Sequence, residues 1–114
     1  KYEEAIAAYD AALEIKPDFH EALNNKGNTL YDLGKYEEAI AAYNSSIAIQ
    51  PNLRNSYVGL TLTYIKLNQK EQAIKSLEKI LALSPESDRQ ALNTMKALEA
   101  LREHPRFREL VEGE

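Results

Sequence analysis

The sequence predicts an all-α protein, a stack of antiparallel helix pairs, and three observations carry that prediction. The nine residues Lys1 to Tyr9 recur letter for letter as Lys35 to Tyr43, 34 positions later, and a fainter copy runs from Gln69 to Leu77. Pro17, Pro51 and Pro85 close the three copies at the same step. Inside each copy the apolar residues step by three and four, as in Tyr36, Ala39, Ile40, Tyr43 and Ile47, which is the spacing of an amphipathic helix. A fixed period of this length with helical patterning inside it marks a repeat array. No unit can bury its own apolar face, so neighbours stack into a continuous core with one concave and one convex surface.

The elements follow in order. A helix is predicted over 2–15 and is ended by Pro17, which lacks an amide and biases its predecessor away from helical angles. A pair follows at 20–33 and 36–49, and a second pair at 54–67 and 70–83. Asp18, Asn52 and the Ser84–Ser87 stretch supply the polar turns. Gly34 is placed to stop the first helix of its pair in left-handed backbone angles, and Asn68, 34 positions on, is the other residue type that tolerates them. A helix over 88–103 takes the place of the next repeat's first helix and is ended by Pro105. Phe107, Leu110 and Val111 form a stripe at i, i+3, i+4, predicting a last turn or two folded back as a cap. Turns of a few residues make neighbouring helices antiparallel. The expected organisation is the second helix of a truncated repeat over 1–17, full repeats over 18–51 and 52–85, and a C-terminal capping helix with a short tail over 86–114. An opening on Lys1 with half a repeat predicts a fragment.

Composition narrows the function classes. Of 114 residues, 44% are apolar and 28% charged, with no cysteine, which removes disulfides, thiol catalysis and thiolate metal sites together. No apolar run reaches the ~18 residues that span a bilayer, and no basic-then-apolar leader is present. Membrane insertion is therefore not expected, and a cytoplasmic location is. Net charge is −4 and uneven: residues 1–38 carry four lysines against nine acids, or −5. No basic stripe of the kind nucleic acid demands is present. The two histidines, His20 and His104, sit far apart with no HExxH partner, each expected as an exposed residue at a helix end. Glu3-Glu4 and Glu37-Glu38 are neighbours that point ~100° apart on a helix. No phosphate loop or nucleophile elbow is present, so no enzyme, cofactor or metal site is expected.

With the register set, the pattern resembles the tetratricopeptide repeat over nearly the whole chain, as about two and a half repeats plus a capping helix. One unit reads Leu23, Lys26, Gly27, Leu30, Gly34, Tyr36, Ala39, Tyr43, Ser46 and Pro51. The next reads Tyr57, Leu60, Thr61, Tyr64, Asn68, Lys70, Ala73, Leu77, Ile80 and Pro85, and the leading half-unit supplies Tyr2, Ala5, Tyr9, Ala12 and Pro17. Lys26, Thr61, Lys70 and Ile80 depart from the family's residue types, and are expected to loosen the packing of the later unit without undoing the assignment. The resemblance implies a right-handed superhelical α-solenoid and a protein-interaction scaffold that binds an extended peptide or helix of a partner protein.

The resemblance also implies where binding would sit, because in this family the first helix of each pair lines the concave groove. The implied positions are Glu21, Asn24, Asn25, Asn28, Tyr31 and Asp32, then Asn55, Val58, Gly59, Leu62, Ile65 and Lys66, and in the terminal helix Arg89, Leu92, Asn93, Lys96 and Glu99. An asparagine side chain both donates and accepts, so Asn24, Asn25 and Asn28 are suited to pairing with a peptide backbone; the plainer reading is surface amides bonded to water. Long arrays of the family carry an asparagine ladder, and here its rungs fall at Asn25, Gly59 and Asn93, with the middle one missing. The clamp that grips a chaperone's C-terminal carboxylate is matched only by Asn28 and Arg89 in the frame that can be tested. Val58, Leu62 and Ile65 are read equally as apolar ligand contacts and as core. Tyr31 is read first as gap-filling between helices. Glu21 and Asp32 favour basic ligand groups at the near end, Arg89 and Lys96 acidic ones at the far end.

A second expectation concerns the first helix. Lacking a partner on one side, it is expected to show Tyr2, Ala5, Ile6 and Tyr9 to water, an uncapped apolar edge that pairs with a second copy as a homodimer.

Overall fold

The computed structural model describes residues 1–83, 101 and 104–112, without the side chains of 108 and 110–112. Among these, six helices follow one another: α1 (Tyr2–Ile15), α2 (His20–Asp32), α3 (Tyr36–Ile49), α4 (Arg54–Lys66), α5 (Lys70–Leu83) and α6 (Pro105–Glu112). The helix expected over 88–103 lies, apart from Leu101, outside the described residues. The others stand where the punctuation residues put them, except that α2 and α4 each stop one residue early. Leu33 and Leu67 are caps, and the reason lies in the next residue. Gly34 has φ +80° and Asn68 φ +59°. Gly34 N–H donates to the Tyr31 carbonyl at 2.9 Å and Lys35 N–H to that of Leu30 at 2.9 Å. One period later Asn68 donates to Ile65 at 2.9 Å and Gln69 to Tyr64 at 2.8 Å. Both ends are Schellman motifs, which satisfy carbonyls the helix would otherwise leave orphaned.

Within each repeat α2 packs on α3 and α4 on α5, while α1 packs on α2, α3 on α4, and α2 meets α4 directly. The first helices of successive repeats therefore share one face. The core has two parts. Leu30, Ala39, Ala42, Tyr43 and Leu60 make one, and Ala73, Ile74, Leu77, Ile80, Leu81, Leu101 and Phe107 the other; Tyr57 and Tyr64 border both and join them.

Three of the departures from the repeat pattern, Thr61, Ile80 and Lys26, each find partners in the fold. Thr61 is buried, but its hydroxyl donates to the Tyr57 carbonyl one turn back at 2.9 Å. Thr29 and Thr63 do the same to Asn25 and Gly59 at 3.0 and 2.7 Å, so each of these three buried threonine hydroxyls is paired. Ile80 is fully buried in the second part of the core. Lys26 reaches across to Asp10 on α1 at 2.6 Å, a surface pair worth ~0–1 kcal/mol.

The C-terminal cap is more firmly built than the apolar stripe alone predicts. Pro105 occupies the first position of α6, where a missing N–H costs nothing. His104, expected to be exposed, is half-buried and caps the helix: its Nδ1 accepts the Arg106 N–H at 3.2 Å. Its Nε2 lies 3.0 Å from Glu71 Oε2 on α5. One neutral tautomer, protonated at Nε2, serves both bonds. Arg106 bonds Glu78 on α5 at 2.9 Å and Glu109 at 2.8 Å, and Phe107 enters the core. The side chains of Leu110 and Val111 lie outside the description.

Candidate functional site

The face shared by α2 and α4 is organised around Tyr43, which comes from behind it on α3. Its ring lies against Gly27 and Gly59, so closely that a Cβ on Gly27 would stand 2.7 Å from the ring and one on Gly59 would collide with it. Its hydroxyl emerges between the two helices and donates to Asn28 Oδ1 at 2.6 Å. The missing rung of the asparagine ladder thus has a steric cause: no side chain fits at Gly59 while the Tyr43 ring is there. Burial, then the charges of Asp32 and Tyr31, push the Tyr43 phenol above its ordinary range.

Two open clefts lie along this face. The first, of about 480 Å³, is walled by Tyr9 and Ala12 of α1, Phe19, Ala22 and Leu53, with His20 at its side and Glu21, Asn24, Asn25 and Asn55 bringing polar groups. The second, of about 360 Å³, is lined by Asn28, Tyr31, Asp32, Tyr43, Val58, Gly59 and Leu62, and shares Asn55 with the first. They run as one groove from the N-terminal ends of α2 and α4 toward the C-terminal end of α2.

The asparagines are not equivalent. Asn24 Oδ1 accepts from Ser56 Oγ at 2.8 Å. Ser56 in turn lies 3.3 Å from Ser46 Oγ, which donates to the His20 carbonyl at 3.0 Å. Asn24 and Asn28 are therefore held by the fold through one oxygen each, and their amide N–H groups have no partner among the described residues. Asn25 and Asn55 are exposed and carry no side-chain hydrogen bond among the described residues.

Of the other implied positions, Glu21, Asp32, Val58 and Leu62 line the two clefts. Ile65 does not; it packs, with Val58, against the second part of the core. Tyr31 stands edge-on to Tyr36 at 5.5 Å between ring centres and also faces the second cleft. Arg89, Asn93 and Lys96 lie outside the described residues. Pattern reading missed Phe19 and Leu53, which it assigns to turns, and His20, which is half-buried with a buried Nδ1 unpartnered among the described residues.

The expected self-association edge is only partly presented. Tyr2 is 47% exposed, but Ala5 is half-buried, Ile6 turns in toward the first part of the core and Tyr9 walls the first cleft. Among the described large apolar side chains the most open to water is Ile15, 87% exposed, against 38% and 37% for its repeat counterparts Ile49 and Leu83. Ala7, Ala8 and Ala11 are exposed on the same helix, whereas Ala42, the counterpart of Ala8, is buried under α2 and its neighbours.

Among the described residues no three His, Cys, Asp or Glu stand together as metal ligands, and no helix is long and apolar enough to cross a membrane.

Comparison with known proteins finds no match among curated sequences. Among solved structures, "First TPR of Spaghetti (RPAP3) bound to HSP90 peptide SRMEEVD" is similar at 25% identity, covering 89% of this chain and 82% of that one, with a TM-score of 0.77. "MamA RS-1 ArsTM double mutant" is similar in fold at 24% identity, covering 98% of this chain and 67% of that one, with a TM-score of 0.70. Two tetratricopeptide repeat family models match the sequence, one over residues 1–53 and one over residues 30–100. With the paired helices, the repeated Schellman stops and the shared α2/α4 face, these matches make the chain a member of the tetratricopeptide repeat family.

Proposed function

We propose that this chain is a non-catalytic, cytoplasmic interaction scaffold whose α2/α4 groove binds an extended peptide of a partner protein. The observation that carries the reading is the pair of clefts joined at Asn55, with the amides of Asn24, Asn25, Asn28 and Asn55 spaced along them. Such amides match a peptide backbone without reading its sequence, while the apolar walls supply burial. The similar structure that carries an HSP90 peptide supports a peptide ligand in general; by sequence this chain matches the carboxylate clamp only at Asn28 and Arg89, which argues for a different class of peptide. A groove of this size fits micromolar affinity, about −8 kcal/mol. The test is a displayed library of extended peptides selected on the chain. Selected peptides are expected to bind the parent, and Asn25→Ala with Asn55→Ala is expected to weaken all of them at least tenfold. Equal binding by parent and variant removes the reading.

A second reading, self-association through α1, is favoured by the exposure of Ile15 and Tyr2 beside the alanine face. Sedimentation equilibrium of the parent against Tyr2→Glu with Ile15→Glu decides it: the reading requires a dimer for the parent and a folded monomer for the variant.

A further inference from the structure

The groove's charge and shape specify more than a peptide. Its two clefts differ in character. The first is walled mainly by apolar groups, Tyr9, Ala12, Phe19, Ala22 and Leu53. The second holds Asp32 at its end, with the Tyr31 ring beside it.

Among the residues lining the two clefts, the charged ones are Glu21 and Asp32, and no lysine or arginine is among them. Neither acid has an ion-pair partner among the described residues. Their situations differ, however. Glu21 stands in the first turn of α2, where it answers the partial positive charge of the helix N-terminus. Asp32 is the last residue of α2, and that last turn holds no basic residue. Its carboxylate therefore adds to the negative end of the helix instead of cancelling it. The same field reaches into the cleft, since Asp32 contributes to raising the phenols of both Tyr31 and Tyr43. Lys66, on the last turn of α4, lines neither cleft.

Resting on the groove reading above, we infer that the preferred ligand is an extended segment with an apolar side chain in the first cleft and a lysine or arginine beside Asp32 and Tyr31. The spacing follows from the helix. The clefts are centred about seven residues apart along α2, or ~10 Å at 1.5 Å per residue, which an extended chain covers in ~3 residues. The Tyr31 ring offers a face to the cation as well as the carboxylate. This is the opposite charge preference from the acidic peptide SRMEEVD seen in the similar structure.

The experiment is calorimetric titration of three end-blocked peptides and SRMEEVD. The first is an Ala/Ser/Gln octapeptide with Leu and Arg three positions apart; the others replace Arg by Glu or Leu by Ala. The Leu/Arg peptide is expected to bind at least tenfold tighter than the Leu/Glu and Ala/Arg peptides and tighter than SRMEEVD. Asp32→Asn is expected to close most of the gap between Arg and Glu, and Glu14→Gln, on exposed α1 surface, to leave it. Circular dichroism checks that both variants keep their helices. If the Leu/Glu peptide or SRMEEVD binds as tightly as Leu/Arg, or the gap survives in Asp32→Asn, the inference is overturned while the groove reading stands. If none of the peptides binds and library selection also yields none, both are overturned.

Discussion

The Tyr43 hydroxyl donates to Asn28 Oδ1 across 2.6 Å, so the second helix of a repeat fixes the rotamer of an amide on the groove face of the first. With one lone pair of Oδ1 taken by the phenol, the Asn28 N–H groups are turned free for the ligand proposed in the second cleft. Tyr43→Phe keeps the ring against Gly27 and Gly59 but releases the amide. It is expected to cost about 0.5–1.5 kcal/mol in urea unfolding at neutral pH and to weaken any peptide held at Asn28. An unchanged midpoint would mean that water replaces the phenol at no cost.

The same phenol makes stability depend on alkaline pH. Burial is the largest cause holding it above the ordinary value of 10.0, with Asp32 and Tyr31 adding to it. Above pH ~10 the unfolded chain has lost this proton while the folded chain keeps it. The stabilisation is thus full below pH ~10 and lost as pH rises beyond it, by up to ~1.4 kcal/mol per unit. Urea titrations from pH 9 to 11.5 should show a shallower decline for Tyr43→Phe than for the parent. Some slope should remain from Tyr31, whose phenol is also raised, first by burial.

Gly59 is a steric requirement. Alanine would gain ~1 kcal/mol of helix propensity on a free helix, but here its Cβ would strike the Tyr43 ring, which is 1% exposed and has nowhere to go. Gly59→Ala is therefore expected to be net destabilising by about 1–3 kcal/mol. In a double-mutant cycle with Tyr43→Ala the penalty should vanish, since the obstructing ring is gone.

The helix ends were legible because proline, glycine and asparagine recur at one period and each has a mechanical reason for its place. The groove was legible only along α2 and α4, where register alone assigns a face. The apolar wall of its first cleft was not, because Phe19 and Leu53 belong to turns and Tyr9 to a neighbouring helix, and no periodicity joins three elements. Two errors at the chain's ends have the same origin. Tyr9 matches a landmark position and Ile6 lies next to one, Ala5, and both were expected at the edge, yet α2 covers that side of α1 and leaves Ile15 in water. His104 looked like a terminal residue because its partner Glu71 lies 33 positions away.

The two Schellman stops give a prediction of opposite signs. Gly34 and Asn68 both hold left-handed angles, but asparagine bears a Cβ in that region and glycine does not. Gly34→Ala should cost about 1–2 kcal/mol, whereas Asn68→Gly should be neutral or stabilising by up to ~1 kcal/mol. Thermal unfolding of both variants against the parent measures the difference, and a loss of stability in Asn68→Gly would show that its side chain contributes something the backbone bonds do not.

The last helix is attached by a core residue and a cap, and these can be separated. Phe107 is 2% exposed and packs with Leu77, Ile80 and Leu101 in the second part of the core. Phe107→Ala should cost about 3–5 kcal/mol, a large share of a small domain's total. His104 acts otherwise: its ring accepts the Arg106 N–H and bonds Glu71 on α5, so His104→Ala should cost a capping energy of about 0.5–2 kcal/mol. Asparagine at 104 can accept the Arg106 N–H but is too short to reach Glu71 as well. His104→Asn should therefore recover the capping share and not the rest. Hydrogen exchange of the α6 amides separates the outcomes. In Phe107→Ala the whole helix should exchange faster, while in His104→Ala the loss of protection should begin at Arg106 and fade toward Glu109. Equal exchange in His104→Ala and the parent would show that Phe107 alone holds the helix in place.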